Sequence, residues 1–305
     1  MKLAKIDAPE FDLAKTLDSG QVFHWEPHAA GFIGTIGEQP AFVEQRGAEL
    51  FVAGAPAAVV SHYFALDHSL GAICAAFPED EAMNAAAAYC CGLRIIRQPI
   101  WDCLASFITS SMKQVAHIRQ ISRALRERFG ERSMLCGTRL YHFPSAERLA
   151  RATEAELRSC ALGYRAKNLL LTAQRVSSGE ADLERWRALD DDELRAQLCG
   201  LPGVGAKVAN CVMLFAYERL RAFPIDVWIE RVLRERYFAR ERNVTAAKLR
   251  VFCDSYFGEH GGYAQQYLFH HARKTSLRKR SQRAPKRPNQ KRRHPEPAKT
   301  ARDLA

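Results

Sequence analysis

Leu201-Pro202-Gly203-Val204-Gly205-Ala206-Lys207, with Asp226 nineteen residues beyond the lysine, is the stretch on which the reading of this chain turns. Just upstream, Asp192 to Cys199 has helical spacing, with Leu194 and Leu198 at i, i+4. Pro202 and the two glycines break that pattern. From Lys207 to Arg219 a second helix is expected, with Val208, Cys211, Val212 and Phe215 on one stripe. The segment therefore reads as helix, hairpin, helix. A glycine hairpin lets backbone come close to a phosphate. A helix that starts at the turn points unpaired N–H groups and its positive dipole end at an anion. Such a grip reads DNA backbone and no sequence. Gly203, Val204 and Gly205 are the candidate phosphate contacts, and an ordinary interhelical turn is the simpler alternative for G-V-G alone.

Two residues in this stretch bring chemistry. A lysine in the first turn of a helix lies where the dipole disfavours a second cation, and partial desolvation favours the neutral amine. Such an amine at Lys207 can attack a sugar C1′ and form a Schiff base, although a plain phosphate contact fits the same position. Asp226 precedes V-W-I-E-R-V-L and reads as an N-cap that the helix dipole keeps ionised. The same carboxylate can stabilise an oxocarbenium-like sugar as a base departs.

The rest of the chain sets the frame. Its 305 residues suffice for two domains with real cores, and 47% hydrophobic with 26% charged residues is a globular composition. No apolar run approaches the ~18 residues of a membrane span. The start, M-K-L-A-K-I-D-A-P-E, has acids and no apolar core, so a protein inside the cell with its DNA, in cytoplasm, nucleoid or nucleus, is expected. Nine cysteines form no C-x-x-C pair, which argues against zinc or iron–sulfur cofactors and for free thiols. The net charge of +11 is concentrated at one end: residues 273–305 hold thirteen Lys/Arg and two acids, and the remainder is neutral. That proline-dotted tail, 274–305, is expected to be disordered and either to add nonspecific DNA affinity or only to aid solubility.

Short β-prone runs at Gln21–Trp25, Gly31–Ile36, Ala41–Gln45 and Leu50–Val52, with helical runs at 59–63 and 79–90, predict an α+β N-terminal domain over 1–93 with an antiparallel sheet. Helical patterns dominate 94–273: 101–110, 115–129, 146–150, 154–160, 166–177, 227–237, 243–257 and 264–271. Ser145 and Thr153 join Asp226 at N-cap positions.

With these residues in view, the chain resembles the 8-oxoguanine DNA glycosylase family of the helix-hairpin-helix superfamily. The likeness is carried by L-C-G-L-P-G-V-G-A-K-V-A-N-C and F-P-I-D-V-W, and by L-D-S-G-Q-V-F-H-W (17–25), Y-F-A-L-D (63–67), R-Q-P-I-W-D-C-L-A-S-F-I (97–108), L-G-Y-R-A-K (162–167) and G-G-Y-A-Q-Q-Y-L-F (261–269). It spans about residues 10–272. The resemblance implies a sheet domain like the TATA-binding protein and an all-α glycosylase domain, in a monomer acting on duplex DNA that contains 8-oxoguanine. It implies Lys207 as Schiff-base nucleophile and Asp226 as its acidic partner. The Gly20 carbonyl would accept N7–H of the lesion, which guanine lacks. Cys211 and Phe269 would sandwich the flipped base, and Gln265 would bond its pairing edge. Tyr164 and Arg165 would wedge beside the gap and meet the orphaned cytosine. A monovalent ion on the carbonyls of Cys199, Leu201 and Val204 is implied, and no other cofactor. Three positions depart from the eukaryotic pattern. Met112 stands for an asparagine and His117 for an arginine, which implies weaker reading of the opposite cytosine. Trp228 replaces a histidine beside the 5′ phosphate. Rival readings are a related glycosylase for alkylated or other oxidised bases, and a noncatalytic DNA-binding module.

Overall fold

The structure is a computed structural model that describes residues 3–110 and 114–283. Its N-terminal part holds a five-stranded antiparallel sheet in the order β1-β5-β4-β3-β2. The strands are β1 (Ala4–Asp7), β2 (Glu26–His28), β3 (Gly31–Ile36), β4 (Gln39–Arg46) and β5 (Glu49–Gly54). The β3–β4 and β4–β5 turns carry Gly37 and Gly47 with φ of 57° and 61°, values that glycine tolerates at no steric cost. One face of the sheet buries Ala41, Val43, Leu50 and Val52 against Phe64 and Tyr63 at the end of α2 (Ala57–Tyr63). The other face of the sheet receives a second hairpin, β6 (Arg132–Leu135) and β7 (Thr138–Tyr141), through a small cluster of Ile33, Phe42 and Leu135. That hairpin falls inside the region read as purely helical. Its strands are only four residues each, and Cys136-Gly137 forms the turn, both residues at positive φ.

The remaining elements are helical: α1 (Leu13–Asp18), α3 (Leu70–Ala75), α4 (Glu81–Cys90), α5 (Ile100–Ser110), α6 (Val115–Phe129), α7 (Ala146–Ala150) and α8 (Glu154–Leu157). They continue with α9 (Arg165–Ser177), α10 (Asp191–Cys199), α11 (Ala206–Phe215), α12 (Val227–Val232), α13 (Ala246–Tyr256) and α14 (Gly261–Arg283). Ser145, Thr153 and Asp226 are N-caps with side-chain acceptors, as their spacing implied. The largest core cluster joins α3 and α4 to α5, α11 and α14, so one apolar interior runs from the end of the N-terminal part through the helical part.

Two expectations need correction. Residues 21–25 form no strand. Gly20 has φ of 87°, and the chain here is held by side chains instead of a ladder. Gln21 Nε2 donates to Ser19 Oγ (2.8 Å) and to the Arg94 carbonyl (2.9 Å). Its Oε1 accepts from Ile96 N (2.8 Å), and its carbonyl accepts from Gln98 Nε2 (3.0 Å). The second correction concerns the basic tail, because α14 continues ten residues past Arg273. The first proline after it is Pro285, and the residue before a proline is pushed out of the α region, so the helix has no reason to stop earlier.

Gln21 is fully buried, and both polar groups of its side chain have partners. Replacing it by leucine strands Ile96 N–H and two carbonyl or hydroxyl acceptors. Gln21→Leu is expected to lower unfolding free energy by about 3 kcal/mol or more, at about 1–3 kcal/mol for each buried group left unpaired. Urea denaturation checks this, and a change within 0.5 kcal/mol (roughly the surface-mutation range) would sink the idea of a structural clasp.

Candidate active site

The hairpin between α10 and α11 is braced from behind. Thr172 Oγ1 donates to the Pro202 carbonyl (3.0 Å) and Arg175 Nη1 to the Gly200 carbonyl (3.0 Å), both from α9. Gly203 has φ of 82°, and a Cβ there would lie 2.8 Å from Asn168, so two independent constraints require glycine. Val204 is buried and its N–H donates to the Leu201 carbonyl (3.1 Å), so Val204 is an internal strut of the hairpin. Gly203 and Gly205 are the exposed positions. Gly205 is the N-cap of α11 and supplies no side-chain cap. The first-turn amides of that helix are therefore not closed by a side chain, unlike those of α12. Cys199 is exposed and Leu201 buried. Their carbonyls and that of Val204 are neutral oxygen donors, a set suited to a weakly bound monovalent ion.

Lys207 lies half-buried in the first turn of α11, with Nζ 4.9 Å from the centroid of the Phe107 ring. Phe107 is stacked on Phe215 (5.5 Å) and meets Phe23 edge-on (5.9 Å), so the amine rests on an aromatic floor shared by α5, α11 and the Gly20 loop. Cys211, one turn further along α11, is buried. Burial raises its thiol above the ordinary value, against the pull of the Lys207 charge. Cys103 on α5 is buried nearby and burial raises it likewise, with Cys211 adding to the effect.

Asp226 caps α12. Its Oδ1 accepts from Trp228 N (3.0 Å) and Ile229 N (2.9 Å). The dipole argument alone kept this carboxyl low. Instead, burial raises it, and the two amides and the Lys207 cation only partly offset that. The Lys207 charge lowers the Cys211 thiol and the Asp226 charge raises it, so both ionisable groups are felt at this point of α11.

Gly20 and α14 form a second wall. A Cβ on Gly20 would lie 3.1 Å from Phe269 Cε1, and Phe269 is itself only partly covered. Gln265, one turn before Phe269, is buried. Its Nε2 donates to the Pro224 carbonyl (3.0 Å), which fixes the amide's orientation and leaves Oε1 as a buried acceptor without a partner among the described residues.

The remaining sequence candidates are more peripheral. Tyr164 is 58% exposed at the start of α9, with the Arg165 guanidinium 5.0 Å from its ring centroid, while Arg165 itself is buried. His117 is exposed in the first turn of α6. Trp228 is half-buried in the first turn of α12, 5.4 Å from the Arg231 guanidinium. Met112 lies outside the described residues. Phe107 and Cys103 beside the lysine, and Arg273 beside Phe269, were not singled out from sequence. They sit at ordinary core or charged positions, and only the folded chain brings them to the site. A cavity of about 430 Å³ between α6, β2, β3 and β7 is lined by Trp25, Arg119, Arg123 and Arg126, and none of the candidate residues above borders it.

Comparison with known proteins agrees with this geometry. Residues 4–104 match the N-terminal domain model of 8-oxoguanine DNA glycosylase, and residues 105–254 match the HhH-GPD superfamily of base excision DNA repair proteins. A Saccharomyces cerevisiae N-glycosylase/DNA lyase is 30% identical, over 88% of this chain and 85% of its own. A probable N-glycosylase/DNA lyase of Methanothermobacter thermautotrophicus is 31% identical, over 61% of this chain and 65% of its own. The 8-oxoguanine glycosylase/lyase of Clostridium acetobutylicum, solved with duplex DNA containing cytosine opposite 8-oxoguanine, superposes with a TM-score of 0.83. It is 30% identical, over 90% of this chain and all of that one. The fold and these matches define a base-excision DNA glycosylase with lyase activity. Within that class the chain belongs to the 8-oxoguanine DNA glycosylase family of the HhH-GPD superfamily.

Asp226→Asn keeps a cap oxygen and removes the charge. A carboxyl raised by folding binds more protons folded than unfolded, so its ionisation opposes folding increasingly as pH rises above the ordinary 3.8. Asp226→Asn is therefore expected to be more stable than the parent at pH 7 and to lose that advantage below pH 3.8, while base excision falls by about a hundredfold or more. Urea unfolding at pH 3.5 and 7, beside single-turnover excision, measures both. Equal stability at the two pH values would refute the account.

Proposed function

We propose that this chain excises 8-oxoguanine from duplex DNA and then nicks the strand, with Lys207 as the nucleophile. The observation that carries the reading is the Lys207 amine seated on the Phe107 ring at the open start of α11, with Asp226 capping α12 and the partly covered Phe269 ring packed against Gly20. The hairpin glycines and the uncapped N-terminus of α11 hold the phosphates of the damaged strand. A monovalent ion on the Cys199, Leu201 and Val204 carbonyls would stiffen that grip. The base is turned out of the stack, Tyr164 fills beside the gap, and Arg165 and His117 face the partner strand.

Recognition rests on acceptors. 8-Oxoguanine carries a proton on N7 and guanine does not, so the carbonyl of half-buried Gly20 rewards the lesion and is left facing a lone pair by the normal base. The partnerless Oε1 of Gln265 suits the N–H donors on the pairing edge of a guanine-type base. Lys207 Nζ then forms a bond to C1′ as the bond from C1′ to N9 breaks, and the proton that the new C–N ammonium sheds goes to the leaving base. Asp226 stabilises the positive charge that develops on the sugar. Opening of the sugar ring gives the imine, which acidifies C2′. Loss of that proton expels the 3′ phosphate, and water releases Lys207.

We read residues 1–93 as supplying Gly20, residues 94–273 as supplying the hairpin and catalytic pair, and residues 274–305 as adding nonspecific phosphate affinity. The enzyme works as a monomer, inside the cell with its DNA. Met112 and His117 give little to cytosine reading.

Borohydride trapping tests the nucleophile. Duplexes with one 8-oxoguanine should yield a covalent protein–DNA band, absent with undamaged DNA and with Lys207→Gln, whose excision rate should fall about a thousandfold or more. Excision opposite C, A, G and T should agree within about tenfold, or ~1.4 kcal/mol. A trapped band with Lys207→Gln would remove this mechanism, and a cytosine preference above a hundredfold would overturn the reading of Met112 and His117.

A further inference from the structure

The loop that carries Gly20 ends a helix whose last residue, Asp18, gathers three cations from two distant helices. Arg119 of α6 lies 3.3 Å from its carboxylate, Arg273 of α14 lies 3.8 Å away, and Lys274 of α14 pairs with the other oxygen. Arg273 Nη2 also donates to the Asp18 backbone carbonyl, and Gln266 Nε2 donates to the Ser19 carbonyl (2.9 Å). Burial works against the Asp18 charge, yet the three cations together hold the carboxyl below its ordinary value. No residue of this cluster was singled out from sequence, and the chemistry proposed above does not use it.

Its position gives it a use. Arg273 is buried, with Nε lacking a partner, and Asp18 is its neighbouring counter-charge. The guanidinium sits 5.6 Å from the Phe269 ring centroid, and its Nη1 lies 3.5 Å from where a Gly20 Cβ would be. A mobile cation at that point would do two kinds of damage. It would compete for the Gly20 carbonyl, the acceptor needed to read N7–H, and it would unsettle the ring that stacks on the base. Removing one partner of a buried charge pair leaves the other uncompensated and drives it to new acceptors. Asp18 also takes Arg119, two residues beyond His117, and so links the start of α6 to the lesion wall.

We propose that Asp18 is a positioning residue for base recognition: by holding Arg273 it keeps the Gly20 carbonyl free and the Phe269 ring in place. This rests on the lesion reading given above. It separates base recognition from the later strand nick, because a preformed abasic site has no base for Gly20 and Phe269 to read.

The test is single-turnover kinetics with Asp18→Asn on two duplexes, one with 8-oxoguanine opposite cytosine and one with a preformed abasic site. Excision is expected to fall about tenfold or more while nicking of the abasic duplex stays within about twofold; tenfold corresponds to ~1.4 kcal/mol of lost transition-state binding. Asp18→Glu, which keeps the charge, should recover most of the excision. Asp18→Asn combined with Arg273→Met, which removes the stray cation, should excise faster than Asp18→Asn alone. If both activities fall in parallel, or if neither falls, Asp18 is not a positioning residue. If the parent protein fails to release 8-oxoguanine yet nicks abasic DNA, it is the lesion assignment that fails, and the two failures are told apart by the parent lane alone.

Discussion

One buried amide keeps the two halves of this protein in register. Gln21 ties the Gly20 loop to Arg94 and Ile96, and its carbonyl takes Gln98. Gln98 N in turn donates to the Phe215 carbonyl (2.7 Å) at the end of α11. The Gly20 loop is thus joined through two hydrogen bonds, by way of Gln98, to the helix whose first turn carries Lys207. In water each bond would be worth about 1 kcal/mol, but in a dry interior each also prevents the cost of a stranded group. Distance between the reading loop and Lys207 is then set by covalent geometry and hydrogen bonds, with little left to loop motion. Phe23, two residues after Gln21, adds a packing link, since it abuts the ring on which the amine rests.

Two helix N-termini meet at the site, and the chain treats them in opposite ways. The N-cap of α11 is a glycine, which leaves first-turn amides open to a phosphate. The N-cap of α12 is Asp226, whose oxygen already occupies the equivalent amides. One dipole is therefore left open, and the other holds a carboxylate whose charge burial opposes. A partly desolvated carboxylate of this kind lowers stability, a local conflict of the sort found at functional sites.

Most of the helical half and the hairpin were legible because their signals are local. Ser145, Thr153 and Asp226 declare helix starts, and Pro202 with two glycines declares the break. Lys207 stood out because it directly follows that break, and Asp226 because it opens the helix that comes after α11. The β6–β7 hairpin was missed because four-residue strands carry too little periodicity to outweigh the helices around them. Residues 21–25 were misread for a physical reason of another kind. V-F-H-W has the composition of a strand, but Gln21 satisfies the neighbouring backbone with its side chain, and no pattern of apolar residues reports that. Phe107, Cys103, Arg273 and Asp18 were invisible as site residues because each acts through a neighbour more than fifty positions away. Asp226 was placed correctly as a cap, but the upward pull of burial on its carboxyl was not legible, since dipole direction can be read from a cap but desolvation cannot.

The wall opposite the lysine follows from the period of a single helix. On α14, Gln265, Phe269 and Arg273 recur every four residues and so share a face. The acceptor with no partner, the partly covered ring and the buried cation occupy that face in order. Tyr263 and Tyr267 fall on another stripe and are sunk in the core, where Tyr267 hydroxyl donates to the Leu93 carbonyl (3.0 Å) and Cys90 Sγ to the Tyr267 carbonyl (3.4 Å). That anchoring to α4 leaves α14 no freedom to rotate. Because the helix cannot turn, the cation that ends the stripe cannot be carried away from the base pocket by a backbone adjustment. A counter-charge has to be brought to it, and the end of α1, two residues before Gly20, is where the chain supplies one.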